Sequence, residues 1–248
     1  MCTVTFYPTD RGYILTHNRD ERPSRSGQAL TIDKENHKTL IYPRDQQAHG
    51  TWIFMHSNGM TACLLNGAFQ NHIKQPEYRM SRGKVMMELA HAKHVENWLH
   101  HTHLDRIEPF TLIIVKEREL IEMVWDGHQK HIRTLGMDIP SIWSSSTLYT
   151  IEIKQKRRKI FYQWIDNMKD YDPAAWMLRF HEIGSIGDIK NNITMCRPDG
   201  PRTVSTTQIV VDRESYAMRY HDLLYDTICT AHLKAKKTAL KKTELIHV

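Results

Sequence analysis

Cysteine is scarce in this chain of 248 residues, which contains four: Cys2, Cys63, Cys196 and Cys229. No two of them have the Cys-x-x-Cys spacing of a zinc or redox motif, and their number argues against a disulfide framework. The pattern is typical of a protein whose thiols stay reduced, and we expect a cytoplasmic location.

Long apolar runs are also absent. The longest, such as residues 112–115, is the size of one strand, far below the roughly 20 residues of a membrane-spanning helix. The amino terminus lacks a basic patch followed by an apolar stretch, which is the pattern of a secretory signal. We therefore expect no membrane span and no export signal.

Glycine and proline are modest in number, at 11 and 9, and no repeat or low-complexity segment interrupts the chain. This length fits one compact two-layer domain with flanking helices. We predict a single domain over residues 1–248, with residues 221–248 as a basic C-terminal extension.

Several predicted strands follow one another along the chain before the next predicted helices, so single strands and single helices do not alternate. Strands are predicted at residues 2–8, 12–17, 52–56, 60–66, 110–115, 120–125, 131–135, 206–211 and 216–220. Helices are predicted at residues 81–101, 151–168 and 173–181, and the polar segment 24–47 is predicted to be a long loop over the site. Blocks of this kind favour an α+β fold with antiparallel sheets and helices outside them.

The residue after the initiator methionine is Cys2. Removal of the methionine, which small second residues permit, would leave a thiol and a free α-amine on one residue. An α-amine has a pKa of about 8 and can accept the thiol proton near neutral pH. The alternative is that Cys2 simply begins a buried strand, because Val4 and Phe6 continue an apolar alternation.

A short hairpin brings polar residues towards Cys2. Residues 2–8 and 12–17 read as two strands joined by a turn, so Asn18, Arg19 and Asp20 should return beside Cys2. An arginine there stabilises a thiolate or a substrate carboxylate, and an aspartate orients the arginine or the amine. The alternative is a solvated ion pair at the end of a surface hairpin.

The sequence resembles the NRDE family, also called the transport-and-Golgi-organisation family. The resemblance rests on the following segments in the family's order: Met1-Cys2-Thr3, Asn18-Arg19-Asp20-Glu21, Gly50-Thr51-Trp52, Leu64-Leu65-Asn66, Ser81-Arg82-Gly83, Ser144-Ser145-Ser146 and Gly200-Pro201-Arg202-Thr203. It implies an αββα sandwich of two stacked antiparallel sheets, related to N-terminal-nucleophile hydrolases of the bile-salt hydrolase and penicillin V acylase type.

The resemblance also implies roles for individual residues. Cys2 would be the nucleophile, Asn18 and Arg19 its polar neighbours, and Asp20 the contact of its amine. Asn66 would donate to the oxyanion, and Arg202 would be a second cation that binds substrate. Ser145 stands where the family has an asparagine, so a serine hydroxyl would replace an amide donor at the substrate. His49 replaces one of the two family glycines before Thr51-Trp52, at positions where a left-handed backbone suits glycine.

Histidine is abundant, with 16 residues, and His91 and His94 are spaced to share a ligand. No cysteine or carboxylate completes a zinc spacing around them, and no His-Glu-x-x-His motif exists, so we expect neither a metal nor another cofactor. The net charge of +6 includes basic runs at residues 154–159 and 234–242. We interpret these as a solvated helix face and a tail, and expect no nucleic-acid partner.

Two functions remain open from the sequence. The first is a cysteine N-terminal-nucleophile amidohydrolase or acyltransferase that acts on linear non-peptide amides. The second, implied by the resemblance, is a non-catalytic protein that binds or transports haem or an acyl lipid on the same scaffold. In both cases the partner is a small molecule, and the oligomeric state stays undetermined.

Overall fold

A computed structural model describes residues 2–25, 27–35, 38–168, 172–213 and 215–234. Two antiparallel sheets form its centre. The first sheet, in spatial order, consists of β10 (Ser141–Ser144), β1 (Cys2–Thr9), β2 (Gly12–Glu21), β11 (Arg202–Val211), β12 (Ser215–Asp222) and β13 (Thr227–Lys234). The second sheet consists of β3 (Gly27–Glu35), β4 (Lys38–Asp45), β5 (Ile53–His56), β6 (Thr61–Asn66), β7 (Phe110–Lys116), β8 (Glu119–Trp125) and β9 (Lys130–Leu135).

Four helices of the described residues cover the outer faces of the sheets. They are α1 (Arg82–Ala90), α2 (Val95–His101), α3 (Ile151–Asp166) and α4 (Pro173–Ile183). The helices α1 and α2 pack on the seven-stranded sheet, and α3 and α4 pack on the six-stranded sheet. The result is the four-layer αββα sandwich that the sequence predicts. Among the described residues no helix is both long and apolar enough to cross a bilayer.

The alternation of β1 explains its place between two layers. Cys2, Val4 and Phe6 are buried in the apolar core between the sheets, because successive side chains of a strand face opposite sides. Thr3 and Thr5 face the other way, where their hydroxyls bond to Arg157 of α3 and His181 of α4. One strand therefore joins the inter-sheet core to the helical layer.

The helix predicted at residues 81–101 is wrong as a single element, because α1 ends at Ala90 and α2 begins at Val95. Residues 91–94 form a turn between the two helices. Val85 of α1 and Val95 of α2 are nevertheless buried in one core, so both helices pack on the same sheet.

The loop predicted at residues 24–47 is also wrong, since most of this segment is the β3–β4 hairpin. Its polar side chains are explained by position, because β3 is the edge strand of its sheet and edge strands favour polar residues. The strands β10 and β13 are not predicted from the sequence either. Up to Lys234, the segment expected to be a C-terminal extension is part of the six-stranded sheet, while residues 235–248 lie outside the described residues.

Candidate active site

Cys2 lines a cavity of about 340 Å³ at the edge of the inter-sheet core. It is the first residue of β1 and pairs with Arg19 of β2. Residues directly opposite in an antiparallel pair share one face of the sheet, so the thiol and the guanidinium face the same space. Cys2 is 3% exposed, and the cavity is its route to a ligand.

Arg19 is fixed by three different contacts. Its Nη2 lies 2.9 Å from Asp45 Oδ2, and its Nη1 donates to the carbonyl oxygen of Arg25 at 2.7 Å. The guanidinium carbon lies 4.2 Å from the ring centroid of Trp52, a distance at which the ring attracts a cation. Arg19 is therefore a rigid cation beside Cys2.

Asp45 is the anion at the centre of this arrangement. Its Oδ2 also accepts from Arg25 Nη2 at 2.9 Å, while its Oδ1 accepts from the backbone N–H groups of Gln47 and Ala48 at 3.0 and 2.9 Å. Burial opposes ionisation, but the bond from Ala48 and the charges of Arg25 and Arg19 lower the pKa of Asp45 below its ordinary value. The carboxylate stays ionised at neutral pH.

A second ion pair lies in the wall of the same cavity. Arg82 Nη2 lies 3.0 Å from Glu108 Oε2, and both side chains line the cavity. Arg82 begins α1 next to Gly83, whose carbonyl oxygen accepts from Thr51 N–H at 3.2 Å. This backbone contact brings the start of α1 against the cavity.

Glycine is required at Gly50 because a Cβ there would lie 2.3 Å from the carbonyl carbon of Gly83. His49, the departure from the family's double glycine, has φ of 55°. It occupies the left-handed region that non-glycine residues enter at a cost. The backbone therefore has a positive φ at His49, and at Gly50 it lies so close to the backbone of Gly83 that no side chain fits.

Burial raises the pKa of the Cys2 thiol, and the carboxylate of Asp20 acts in the same direction, whereas Arg19 opposes the shift. The thiol is thus protonated at neutral pH unless a base takes its proton. Any chemistry at this sulfur needs a proton acceptor within reach.

Hydrogen bonds of Ser145 connect Cys2 with Asn66. The Ser145 N–H donates to the Cys2 carbonyl oxygen at 3.0 Å, and the Ser145 hydroxyl donates to the carbonyl oxygen of Asn66. Asn66 lines the cavity, and none of the described residues accepts a hydrogen bond from its side-chain amide. That amide is free to donate to a ligand.

Asn18 and Asp20 face away from the cavity, towards α3 and α4. Alternation along β2 puts them on the opposite face from Arg19. The Asn18 amide donates to the carbonyl oxygens of His181 and Ile193 at 2.9 and 3.1 Å. The carboxylate of Asp20 accepts from the Thr203 hydroxyl at 2.7 Å and the Tyr149 hydroxyl at 2.9 Å.

Arg157 is the buried cation of this second polar layer. It donates to Thr3 Oγ1 at 2.7 Å and Ser144 Oγ at 3.1 Å, and its guanidinium carbon lies 3.6 Å from the Tyr149 ring centroid. The interpretation of residues 154–159 as a solvated helix face is wrong here, since Arg157 is 0% exposed. Burial raises the pKa of Asp20, and the charge of Arg157 opposes that shift.

Arg202 is exposed and lies opposite Glu21 at the start of β11. Glu21 lines the cavity and Arg202 does not. The structure therefore places Cys2, Arg19 and Asn66 around one cavity. Ser145 contacts Asn66 without lining this cavity. Asn18, Asp20 and Arg202 also lie outside the cavity.

Sequence reasoning gave no site role to five charged residues that line the cavity: Glu21, Arg25, Asp45, Arg82 and Glu108. Asp45 ends a strand that was taken for loop, although the apolar residues before it, Leu40 and Ile41, were a signal for a strand. Arg82 lies inside a segment recognised from the family, but no feature of the sequence pairs it with Glu108.

Among the described residues no three histidine, cysteine, aspartate or glutamate side chains are grouped to hold a metal ion. His91 uses its Nδ1 in a bond of 2.8 Å to the carbonyl oxygen of Met87. His94 is the N-cap residue before α2, and its side chain makes no capping hydrogen bond.

The four-layer sandwich, with β1 beginning at a cysteine inside a cavity, defines a protein with the N-terminal-nucleophile hydrolase fold. Within that class the chain belongs to the Transport and Golgi organisation 2 family, whose model matches residues 1–174. The resemblance seen in the sequence is thus confirmed. The sequence matches none of the curated proteins.

Solved structures with the same fold include two variants of the conjugated bile acid hydrolase from Clostridium perfringens. The first, with a cysteine replaced by alanine, has 12% identity and a TM-score of 0.51, and the match covers 96% of this chain and 97% of that one. The second, with an arginine replaced by leucine, has 11% identity, a TM-score of 0.51 and the same coverage of 96% and 97%.

A Caenorhabditis elegans orthologue of N-acylethanolamine-hydrolyzing acid amidase is similar as well. Its identity is 13% and its TM-score 0.56, with 84% of this chain and 92% of that chain covered. At these identities the likeness shows the fold.

Proposed function

We propose that the protein is a cysteine amidohydrolase or acyltransferase whose substrate is a linear, non-peptide amide. The observation that carries the proposal is the placement of Cys2 in the 340 Å³ cavity, opposite the fixed guanidinium of Arg19. Support also comes from the fold, which is shared with a bile acid hydrolase and an acid amidase.

The reaction begins with proton transfer, because burial keeps the Cys2 thiol protonated. Removal of the initiator methionine would create an α-amine on the same residue, and that amine accepts the thiol proton. The thiolate then attacks the amide carbonyl carbon and forms a carbon–sulfur bond. The resulting ammonium supplies the proton that the leaving nitrogen needs when the carbon–nitrogen bond breaks.

The free amide of Asn66 is the proposed donor to the carbonyl oxygen as negative charge develops there. Ser145 acts through Asn66 by holding its backbone oxygen. The thioester on Cys2 is released by water in a hydrolase, or by an amine or alcohol in a transferase.

Asp20 and Asn18 hold β2, the strand that carries Arg19, through their bonds to Thr203 and His181. Arg202 lies outside the cavity, so the proposal gives it no contact with the reacting amide.

The proposal is tested by comparing two forms of one chain. A cleavable fusion whose protease site ends directly before Cys2 gives the free amine after cleavage, and the uncut fusion keeps that nitrogen in a peptide bond. We expect a chloroacetamide probe at pH 7 to label Cys2 at least about tenfold faster after cleavage. Peptide mapping identifies the labelled thiol, and Cys196→Ser, at a half-buried thiol, is the matched control.

Turnover is then measured on a panel of N-acyl amines with the cleaved protein and its Cys2→Ala variant. Release of amine by the cleaved protein and none by Cys2→Ala supports the proposal. Equal labelling before and after cleavage, without release of any amine, contradicts it.

A binding role without turnover is the second candidate. The observation that favours it is the raised pKa of Cys2, since a protonated thiol in a cavity can contact a ligand without reacting. Titration with haem and with a medium-chain acyl amide, followed by absorbance and calorimetry, distinguishes the two. Saturable binding that Cys2→Ala retains, with no amine release, supports the binding role.

A further inference from the structure

A second cavity, of about 320 Å³, lies beside the candidate active site. The two share a wall, because Ser145 lines the second cavity and its hydroxyl bonds to Asn66, which lines the first. Strands β6 to β10, residues 67–69 after β6, Ser146 and one face of α3 supply the rest of its lining. The proposed reaction at Cys2 makes no use of this space.

Positive charge exceeds negative charge in the second cavity. Glu122 is the sole carboxylate among its described lining residues, and it accepts from Arg133 Nε at 2.8 Å and Trp143 Nε1 at 2.6 Å. Lys154 and Arg158 stand one turn apart on α3 and form no ion pair with any described residue. Two cations are left without a counter-charge.

Lys154 is partly withdrawn from water, and burial lowers its pKa. A half-buried ammonium without an anion loses hydration that nothing replaces. The hydroxyl of Ser146, which also lines this cavity, is buried and lacks a hydrogen-bond partner among the described residues. An anionic oxygen in the cavity would compensate the lost hydration of the Lys154 ammonium. It would also accept a hydrogen bond from the Ser146 hydroxyl.

Apolar side chains also line the second cavity, and two of them stay in contact with water. Phe69 is 56% exposed and Ile151 is 66% exposed, and both line this cavity together with Val124 and the Trp143 ring. Large apolar side chains beside unpaired cations match a ligand that has an apolar body and an anionic group.

We propose that this second cavity binds an amphipathic anion, namely a carboxylate or phosphate ester carried on a compact apolar group. Lys154 and Arg158 bind the anionic oxygens, and Phe69, Ile151 and Trp143 contact the apolar body. The site is separate from the thiol chemistry, so it stands even if Cys2 is unreactive.

The test is calorimetric titration of the full chain with 2-naphthoate, 2-naphthyl phosphate and neutral 2-naphthalenemethanol. We expect both anions to bind at least about tenfold tighter than the alcohol, and added salt to weaken them. The tighter of the two anions identifies the head group as carboxylate or phosphate.

Two double variants of α3 locate the binding site. Lys154→Gln with Arg158→Gln should weaken anion binding at least about tenfold, whereas Lys156→Gln with Lys159→Gln, at exposed positions outside the cavity, should change it less than about twofold. Prior alkylation of Cys2 should leave binding intact. Equal losses in both double variants, loss on alkylation of Cys2, or no heat at about 1 mM 2-naphthoate would each overturn the proposal.

Discussion

Arg19 of β2 and Asp45 of β4 form an ion pair of 2.9 Å that joins the two sheets of the sandwich. Each residue belongs to a different sheet, and both side chains are at least nine-tenths buried. The pair holds the cation opposite Cys2 while the backbone N–H groups of Gln47 and Ala48 hold the anion. Sheet packing and site geometry therefore depend on the same contact.

Removing the negative charge of Asp45 tests whether the packing of the two sheets depends on this ion pair. Asp45→Asn should lower the free energy of unfolding by about 3–5 kcal/mol, because it leaves the buried charge of Arg19 without an anionic partner, whereas Arg25 keeps its pair with Glu21. Urea denaturation at pH 7 measures the loss. Glu77→Gln is the control, since it breaks the exposed pair with Arg106 and should cost less than about 1 kcal/mol. Equal losses of unfolding free energy in the two variants would mean that the buried ion pair of Asp45 contributes no more to stability than an exposed one.

Part of this site could be read from the sequence. The two-residue turn after Thr9 fixes the register of β1 on β2, so a hairpin argument places Arg19 beside Cys2. The same argument grouped Asn18 and Asp20 with Arg19, because it considered only how far along β2 each residue lies. Side chains alternate between the two faces of a strand, so Asn18 and Asp20 lie on the face of β2 opposite to Arg19.

Asp45, Arg82 and Glu108 could not be placed in the site from the sequence, because the residues that they contact there are distant in the chain. Asp45 reaches Arg19 through stacking of two sheets, and Arg82 reaches Glu108 through the packing of α1. The charges of residues and their spacing along the chain do not show which side chains meet when two sheets stack. Arg157 was hidden for a similar reason, since five charged or polar neighbours on α3 make it look solvated.

Arg157 should be the least replaceable cation of α3. It bonds to Thr3, Ser144 and the carbonyl oxygens of Asn191 and Asn192. Lysine cannot reproduce this planar set of donors, so Arg157→Lys should lower the free energy of unfolding by about 3 kcal/mol or more.

The matched control is Arg158→Lys, the same change one residue further along α3. Arg158 is exposed, and this variant should stay within about 0.5 kcal/mol of the parent chain. Thermal and urea unfolding of both variants give the comparison. A small loss for Arg157→Lys would show that its buried bonds are easily replaced.

Gly50 should tolerate no side chain. The added Cβ of Gly50→Ala would lie 2.3 Å from the backbone carbon of Gly83, so α1 must move away and carry Arg82 with it. We expect a loss of about 2–3 kcal/mol together with slower labelling or turnover at Cys2. His49→Gly is the neighbouring control. It removes a left-handed non-glycine residue and should change stability by no more than about 1 kcal/mol.

Two buried histidines should make stability depend on pH. Burial lowers the pKa of His17 to about 4 and that of His181 to about 3, whereas an unfolded histidine has a pKa of about 6.5. Below that value the unfolded chain takes up protons that the folded chain excludes, so the free energy of unfolding falls as the pH falls from 6.5 towards 4.

Each histidine should contribute a loss of about 2 kcal/mol between pH 7 and pH 5. The difference in urea stability between the two pH values should therefore shrink by that amount in His181→Gln, and again when His17→Gln is added. Glutamine keeps an amide to bond with Thr5 or the Leu64 carbonyl oxygen, the present partners of the two rings, but it does not titrate. His101→Gln, at an exposed position, should keep the parent pH dependence. An unchanged pH dependence in His181→Gln would mean that its ring already accepts a proton inside the folded protein.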